Sequence, residues 1–296
     1  GAFAGYQTIA AGDVPGWLAD RAEGSASVGP LDPALSPGGY ARAFAAIQQA
    51  ITDGDIYQAN LTFPLTGAYR GDPLALYAAI RPAAAAGYGG IVCDGAHWLL
   101  SFSPELFVAL KDGTATVKPM KGTRPRGRDA AEDAALAAEL ARSVKDRAEN
   151  LMIVDLLRND LSRVTRPGTV RVEQAFAVES YPTTHQMTST VRAVMQDGRD
   201  EQDLIRALFP CGSITGAPKI RAMELIDAVE RDARGPYCGA IGRIDPTGEA
   251  AFNVAIRTLR LIPEENGRGQ AVLGVGSAIV ADSEWLAEWR EDLVKG

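Results

Sequence analysis

Residues 237–261 read YCGAIGRIDPTGEAAFNVAIRTLRL. Within them, Asp245-Pro246-Thr247-Gly248 has the makeup of a tight reversal, with proline presetting one φ and glycine free to take a left-handed one. The flanks, 237–244 and 250–261, have strand composition, so the segment reads as an antiparallel hairpin. Similar strand patterns fall at 56–65, 89–93, 98–103, 106–110, 115–117, 169–172, 185–194 and 271–279. At 56–65 the alternation is explicit: Tyr57, Ala59, Leu61, Phe63 and Leu65 against Gln58, Asn60 and Thr62, the signature of a half-buried strand. Helical spacing occupies 40–52, 130–159, 201–209, 218–231 and 283 to the end, with Pro218 suited to a first helical turn. Helices cluster between runs of hairpin-linked strands instead of alternating with them. The fold class that follows is α+β with large antiparallel sheets, not a doubly wound parallel sheet.

The chain has 296 residues, 46% hydrophobic and 23% charged, which excludes a disordered polymer and suffices for an extensive core. Thirty basic against thirty-seven acidic side chains leave a net charge of −7, so no global field favours nucleic acid or anionic membrane. An anionic ligand would need a local site. No run approaches the roughly 18 apolar residues of a membrane helix. The start, GAFAGYQTIAAGD, lacks the basic-then-apolar plan of a signal peptide, so a soluble cytoplasmic protein is expected. Cys93, Cys211 and Cys238 are odd in number and outside any CxxC, which predicts packing residues and neither a disulfide framework nor a zinc site. Residues 1–39, rich in Gly, Pro, Ala and Ser, read as an irregular lead-in; 40–296 carry no repeat or dividing linker and read as one domain.

Four carboxylates draw attention by spacing. Asp146 and Glu149 lie three apart on one helix, Glu288 and Glu291 three apart on another, and both pairs border apolar residues. Each pair alone is compatible with a solvated helix face. If the faces met, two carboxylates about 5 Å apart would repel by about 3 kcal/mol at an effective dielectric of ~20. A hard divalent cation such as Mg²⁺ would relieve that repulsion. The segment from Gly212 to Lys219 fails the phosphate-loop pattern, because Pro218 interrupts it. It is either a glycine turn before a helix or a set of amides, at Thr215 and Gly216, holding a substrate carboxylate. Gly274-Val275-Gly276-Ser277-Ala278 offers similar amides after a strand. Lys121 sits in the stiff segment PMKGTRPR, either as an ordinary exposed lysine or as a desolvated nucleophile. Glu105, in SPELF, is a strand-edge acid or a general acid.

Taken in order, GDIYQANL, SPELF, PMKGTRPRG, KDRAENLMIVDLLRNDL, GSITGAPKIRAMELI, RGPYCGAIGRI, NVAIRTL, GVGSAIVADS and EWREDLVK resemble the chorismate-utilising enzymes over residues 40–296. The resemblance implies a sandwich of two large antiparallel sheets with flanking helices, a cleft between the sheets, and a catalytic domain spanning 40–296. It implies Glu149 and Glu291 as direct Mg²⁺ ligands, with Asp146 and Glu288 supporting them through waters. It likewise implies Gly122, Thr123, Tyr237, Arg257, Gly276, Ser277, Ala278 and Lys295 around the substrate, and His185 near it. Ala278 departs from the glycine common in the family, a change that a backbone amide contact tolerates.

Two positions discriminate between branches of the family. Gln58 stands where water-adding relatives resemble one another in carrying a lysine base, which disfavours hydration. Lys121 stands where anthranilate-forming relatives carry alanine, which favours the branch that aminates chorismate at ring carbon 4. That likeness implies Lys121 as nucleophile, Glu105 as proton donor and 4-amino-4-deoxychorismate, a precursor of p-aminobenzoate and folate, as product. The sequence shows no cysteine in a glutaminase setting and has only two histidines, so ammonia is expected from solution or from a separate subunit, with a glutamine amidotransferase partner the favoured expectation. Anthranilate formation and a non-catalytic anion-binding homologue are the competing expectations.

Overall fold

The reversal at 245–248 forms as its residues require: Gly248 N–H donates to Asp245 O at 2.9 Å and Asp245 N–H to Glu249 O at 2.7 Å. The computed structural model describes residues 9–295, so residues 1–8 of the expected lead-in and Gly296 lie outside the described residues. In chain order come α1 (Val14–Ala19), β1 (Ala26–Val28), β2 (Asp32–Pro33), α2 (Pro37–Thr52), β3 (Gln58–Gly71), α3 (Pro73–Ala84), β4 (Tyr88–Cys93), β5 (Trp98–Ser103), β6 (Leu106–Lys111), β7 (Thr114–Lys118) and β8 (Met120–Pro125). There follow α4 (Ala130–Arg142), α5 (Val144–Ser162), β9 (Arg171–Ser180), β10 (Thr184–Val194), α6 (Glu201–Leu208), β11 (Gly216–Ala217), α7 (Lys219–Val229), β12 (Ala240–Ile244), β13 (Ala250–Val254), β14 (Thr258–Pro263), β15 (Arg268–Ile279) and α8 (Trp285–Lys295).

The strands form two antiparallel sheets, so the α+β expectation holds. One has the order β1-β3-β15-β14-β5-β4, with β2 and β11 also pairing on β3. The other runs β12-β13-β6-β7-β10-β8, with β9 also on β10. The long β3–β15 ladder, from Arg70 opposite Arg268 to Ala59 opposite Ile279, is the spine of the first sheet.

Each sheet buries one face under helices. On β3 the apolar positions Ala59, Leu61, Phe63 and Leu65 meet Tyr40, Phe44 and Ile47 of α2 and Trp289 of α8. The α2 spacing of Tyr40, Phe44 and Ile47 is one helix face, and Ser36 caps the helix by accepting from Gly39 N–H. Phe63 stacks on Trp289 with ring centroids 4.8 Å apart. The second sheet is covered by α5, whose Ile153, Leu157 and Leu161 pack with Phe107, Val117 and Val191. Each such side chain, fully buried, contributes on the order of 2 kcal/mol. The alternate positions of β3 are polar: Asn60 lines the space between the sheets, the Thr62 hydroxyl donates to Glu230 at 3.0 Å, and Gln58 is buried.

Several expected elements differ in the structure. The strand read at 250–261 is two strands in different sheets, β13 and β14; Ala255, Ile256 and Arg257 carry the chain across, with Arg257 at φ +48°. β-forming residues continue through the crossing, which leaves no sign of it in composition. The helix read at 130–159 is α4 and α5, divided at Ser143, whose extended backbone ends one helix while its hydroxyl accepts from Asp146 N–H to cap the next. The lead-in is not irregular throughout: α1 forms within it, and β1 and β2 pair with β3. Residues 237–239 turn instead of extending β12, and α3 and β8 are elements beyond those the sequence pattern predicts. Cys211 and Cys238 are core residues, whereas Cys93 is exposed.

Candidate active site

A cavity of about 1000 Å³ opens between the sheets. Most of the residues expected at a site converge on its wall. β8 brings Lys121, Gly122 and Thr123, and the turn between β5 and β6 brings Glu105. α5 contributes Asp146 and Glu149, α8 contributes Glu288, Glu291 and Lys295, β15 contributes Gly276, Ser277 and Ala278, the turn before β12 brings Tyr237, and the crossing from β13 to β14 brings Arg257.

Local constraints explain why these backbone positions suit the wall. Gly122 has φ +88°, and a Cβ there would stand 2.8 Å from Asp146 Oδ1, so only glycine lets β8 pass so close to α5. A Cβ at Gly274 would lie 2.2 Å from the Tyr237 ring, which therefore rests on bare backbone.

The electrostatics separate an acid from a nucleophile. Glu105 is only 5% exposed, and its burial pushes the carboxyl pKa up to about 7 against the Ser213 hydroxyl, the Lys121 charge and the Met120 amide. Its Oε1 has no hydrogen-bond partner among the described residues. Enclosure lowers the Lys121 pKa below the usual lysine value, opposed by Glu149 and Glu105. A carboxyl that keeps a large share of its proton near neutrality thus sits near an amine that loses its proton more readily than a surface lysine does. Arg257 faces the cavity, where burial lowers its pKa and no carboxylate among the described residues pairs with its guanidinium, which suits it to a carboxylate fork.

The four acids picked out by spacing share the cavity wall, but each helix ties one to a cation. Arg124 reaches Asp146 at 3.1 Å, and Lys295 reaches Glu291 at 2.9 Å. No three His, Cys, Asp or Glu side chains are gathered as a metal cage among the described residues. The donor set fits Mg²⁺ in its chemistry, hard carboxylate oxygens on two helices with cavity space for water, but not as a preformed cage.

Three expected residues lie off the wall. His185 is 1% exposed, with Nδ1 2.8 Å from Ser180 Oγ and Nε2 2.9 Å from Asp133 Oδ1. Both ring nitrogens are engaged in tying β10 to β9 and α4, so the placement of His185 beside a substrate is corrected: its neighbour Gln186 lines the cavity, because side chains alternate along a strand. Thr215 and Gly216 are buried behind the wall, and their reading as a carboxylate cradle is corrected too. The Thr215 hydroxyl donates to Cys211 O at 3.0 Å, and Gly216 pairs with Ala59, where a Cβ would meet Gln58 O at 2.3 Å. Ser213 and Ile214 reach the cavity in their place.

Asn60, Lys145, Gln186, Ser213 and Asp292 escaped the site reading. Asn60 belongs to the polar face visible in the alternation at 56–65. Asp292 is hidden in the helix that carries Glu288 and Glu291, and only packing shows it beneath Ser277 and Lys295. Gln58 is wholly buried off the wall, with neither amide atom hydrogen-bonded among the described residues.

A cleft between two antiparallel sheets, combining unpaired or poised cations with a buried carboxyl near neutrality, is the site of a protein that handles a small anionic molecule. A family model described as chorismate binding enzyme matches residues 13–296, and the chain belongs to that family. It is 43% identical over 256 residues to aminodeoxychorismate synthase component 1 of Klebsiella aerogenes, covering 86% of this chain and 56% of the relative. The corresponding protein of Escherichia coli K12 is 41% identical over 256 residues, with 86% and 55% covered. Anthranilate synthase component 1 of Streptomyces coelicolor is 40% identical over 262 residues, with 88% and 50% covered. The chain thus spans about half the length of the curated relatives it matches. Among solved structures, anthranilate synthase component I from Streptococcus pneumoniae TIGR4 superposes with a TM-score of 0.81 at 32% identity, covering 90% of this chain and 59% of that one. A menaquinone-specific isochorismate synthase from Escherichia coli shares the fold, with a TM-score of 0.79 at 19% identity and 92% and 62% covered.

Proposed function

We propose that this chain is the chorismate-aminating component of an aminodeoxychorismate synthase, forming 4-amino-4-deoxychorismate from chorismate and ammonia. The observation that carries this reading is Lys121 on the cavity wall with its pKa lowered, beside a Glu105 carboxyl that stays substantially protonated near neutrality. The naming of several relatives supports it.

In this reading Arg257 and Lys295 hold substrate carboxylates. The Lys121 amine bonds to ring carbon 2 while Glu105 gives its proton to the departing 4-hydroxyl, which leaves as water. The addition leaves a secondary ammonium at Lys121 and a carboxylate at Glu105. Ammonia then bonds to ring carbon 4 and expels Lys121 as a neutral amine, and the extra proton on the new nitrogen goes to Glu105, so that one ammonia enters and one water leaves overall. Glu149 and Glu291 would hold Mg²⁺, supported by Asp146 and Glu288. When bound, the ion offsets substrate carboxylate charge and orients it. A glutamine amidotransferase subunit is the proposed ammonia source.

The test is incubation with chorismate, Mg²⁺ and ammonium, followed by the lyase that releases p-aminobenzoate. Release of p-aminobenzoate, abolished in Lys121→Ala, is expected. Anthranilate fluorescence without the lyase would overturn the assignment in favour of the anthranilate reaction.

A further inference from the structure

Asn60 is fixed on β3 by three hydrogen bonds, which leave one atom over. Its N–H donates to Thr215 O at 2.7 Å, and its carbonyl accepts from Arg234 Nη2 at 3.0 Å. Its side-chain Nδ2 donates to Ser213 O at 3.3 Å, which sets the orientation of the amide. The buried Oδ1 has no partner among the described residues, and Asn60 lines the cavity. Glu105 shows the same pattern: Oε1 is without a partner among the described residues, while the carboxyl lies within reach of the Ser213 hydroxyl. Ser213 therefore joins two oxygen acceptors on one side of the cavity, next to Lys121, whose charge acts on Glu105.

An amide carbonyl oxygen and a carboxylate oxygen repel carboxylates and accept from N–H or O–H groups. The wall elsewhere is built for anions, by Arg257, Lys121 and Lys295. We infer that Asn60 Oδ1 and Glu105 Oε1 form the subsite that holds ammonia for the amination step. The inference rests on the proposed function. In that reaction ammonia bonds at the ring carbon from which the hydroxyl departed, and Glu105 gave that hydroxyl its proton, so ammonia must arrive on the Glu105 side. One N–H donates to Asn60 and another to Glu105, and the nitrogen lone pair is left to form the new bond. As the C–N bond forms, the carboxylate takes one proton from nitrogen while the Lys121 amine leaves ring carbon 2.

The experiment is steady-state kinetics of the full chain with ammonia and chorismate varied separately, together with intact-mass detection of the Lys121 adduct formed from chorismate without ammonia. Asn60→Leu keeps the volume and removes the acceptor; its KM for ammonia is expected to rise about tenfold or more, the loss of one hydrogen bond, with the KM for chorismate within about twofold. The adduct should form at the wild-type rate and break down slowly when ammonium is added. Asn60→Asp, which keeps an oxygen at the same reach, should restore the ammonia KM to within about threefold. If Asn60→Leu does not fold, Asn60→Ser withdraws the acceptor with less disturbance and should show the same selective rise. An unchanged ammonia KM, or an equal rise for chorismate, overturns the subsite. Absence of both adduct and amination in the wild-type chain would instead overturn the proposed function.

Discussion

Lys295 Nζ donates to Asp292 Oδ1 at 3.1 Å, and Asp292 is wholly buried. The same carboxylate accepts from the Tyr40 and Ser277 hydroxyls, each at 3.4 Å, so it joins α2, β15 and α8 behind the cavity wall. Lys295 also donates to Gly276 O at 3.1 Å, which places its ammonium beside the backbone of Gly276 and Ser277. Burial pushes the Asp292 pKa up to about 6, with Lys295 drawing it the other way. Asp292→Ala is therefore expected to release Lys295 from the wall. The KM for chorismate should rise about tenfold with a smaller change in kcat, and urea unfolding should show a loss of about 1–3 kcal/mol.

Glu105 has a pH dependence of definite sign. Its folded pKa, about 7, lies above the ordinary 4.5, so the folded state holds the proton more tightly than the unfolded chain. Stability from this group is present below the unfolded value, declines as pH rises between the two values, and is lost above the folded one. Glu105→Gln removes the cost of a buried charge, on the order of 3 kcal/mol at most. Thermal melts should find the variant more stable than wild type at pH 8 and not at pH 4. In the proposed reaction the same group is expected to set an alkaline limb in kcat/KM for chorismate near pH 7, and the glutamine variant should lose turnover.

His185 ties β10 to β9 and α4 and does not line the cavity. His185→Phe should lower Tm by several degrees by breaking the contacts to Ser180 and Asp133. At a temperature where the variant is folded, kcat/KM for chorismate should stay within about threefold of wild type. A loss of kcat of a hundredfold or more in a fully folded variant would restore His185 to the reaction.

Gly274 supports Tyr237 without a side chain. Gly274→Ala places a Cβ inside the ring's contact distance and must shift Tyr237. The expected cost is about 1–3 kcal/mol in unfolding free energy, with a raised KM for chorismate. Crystal structures of the two forms would show the displaced ring.

Much of the site was legible in the chain. Asp146 with Glu149, and Glu288 with Glu291, share helix faces through local periodicity, and the structure places all four on one cavity wall. The alternation at 56–65 separated the apolar face of β3 from the polar one that holds Asn60. What was not legible depends on contacts between distant segments. His185 and Gln186 differ by one position on a strand, and the pairing of β10 with β8 and β9 decides which faces the cavity. The sheet change at Arg257 passes through residues that are all compatible with continued strand. The role of Asp292 arises because α8 packs on β15 and α2, and no spacing within α8 records that.

By itself, the sequence determined the α+β class, most helices and strands, and the kinds of groups available for chemistry, because hydrophobic period and turn composition are local properties of the chain. Only the tertiary structure decided which of those groups meet, since a burial-raised Glu105, a lowered Lys121 and an Asn60 oxygen without a partner among the described residues are products of desolvation and of neighbours supplied by other elements.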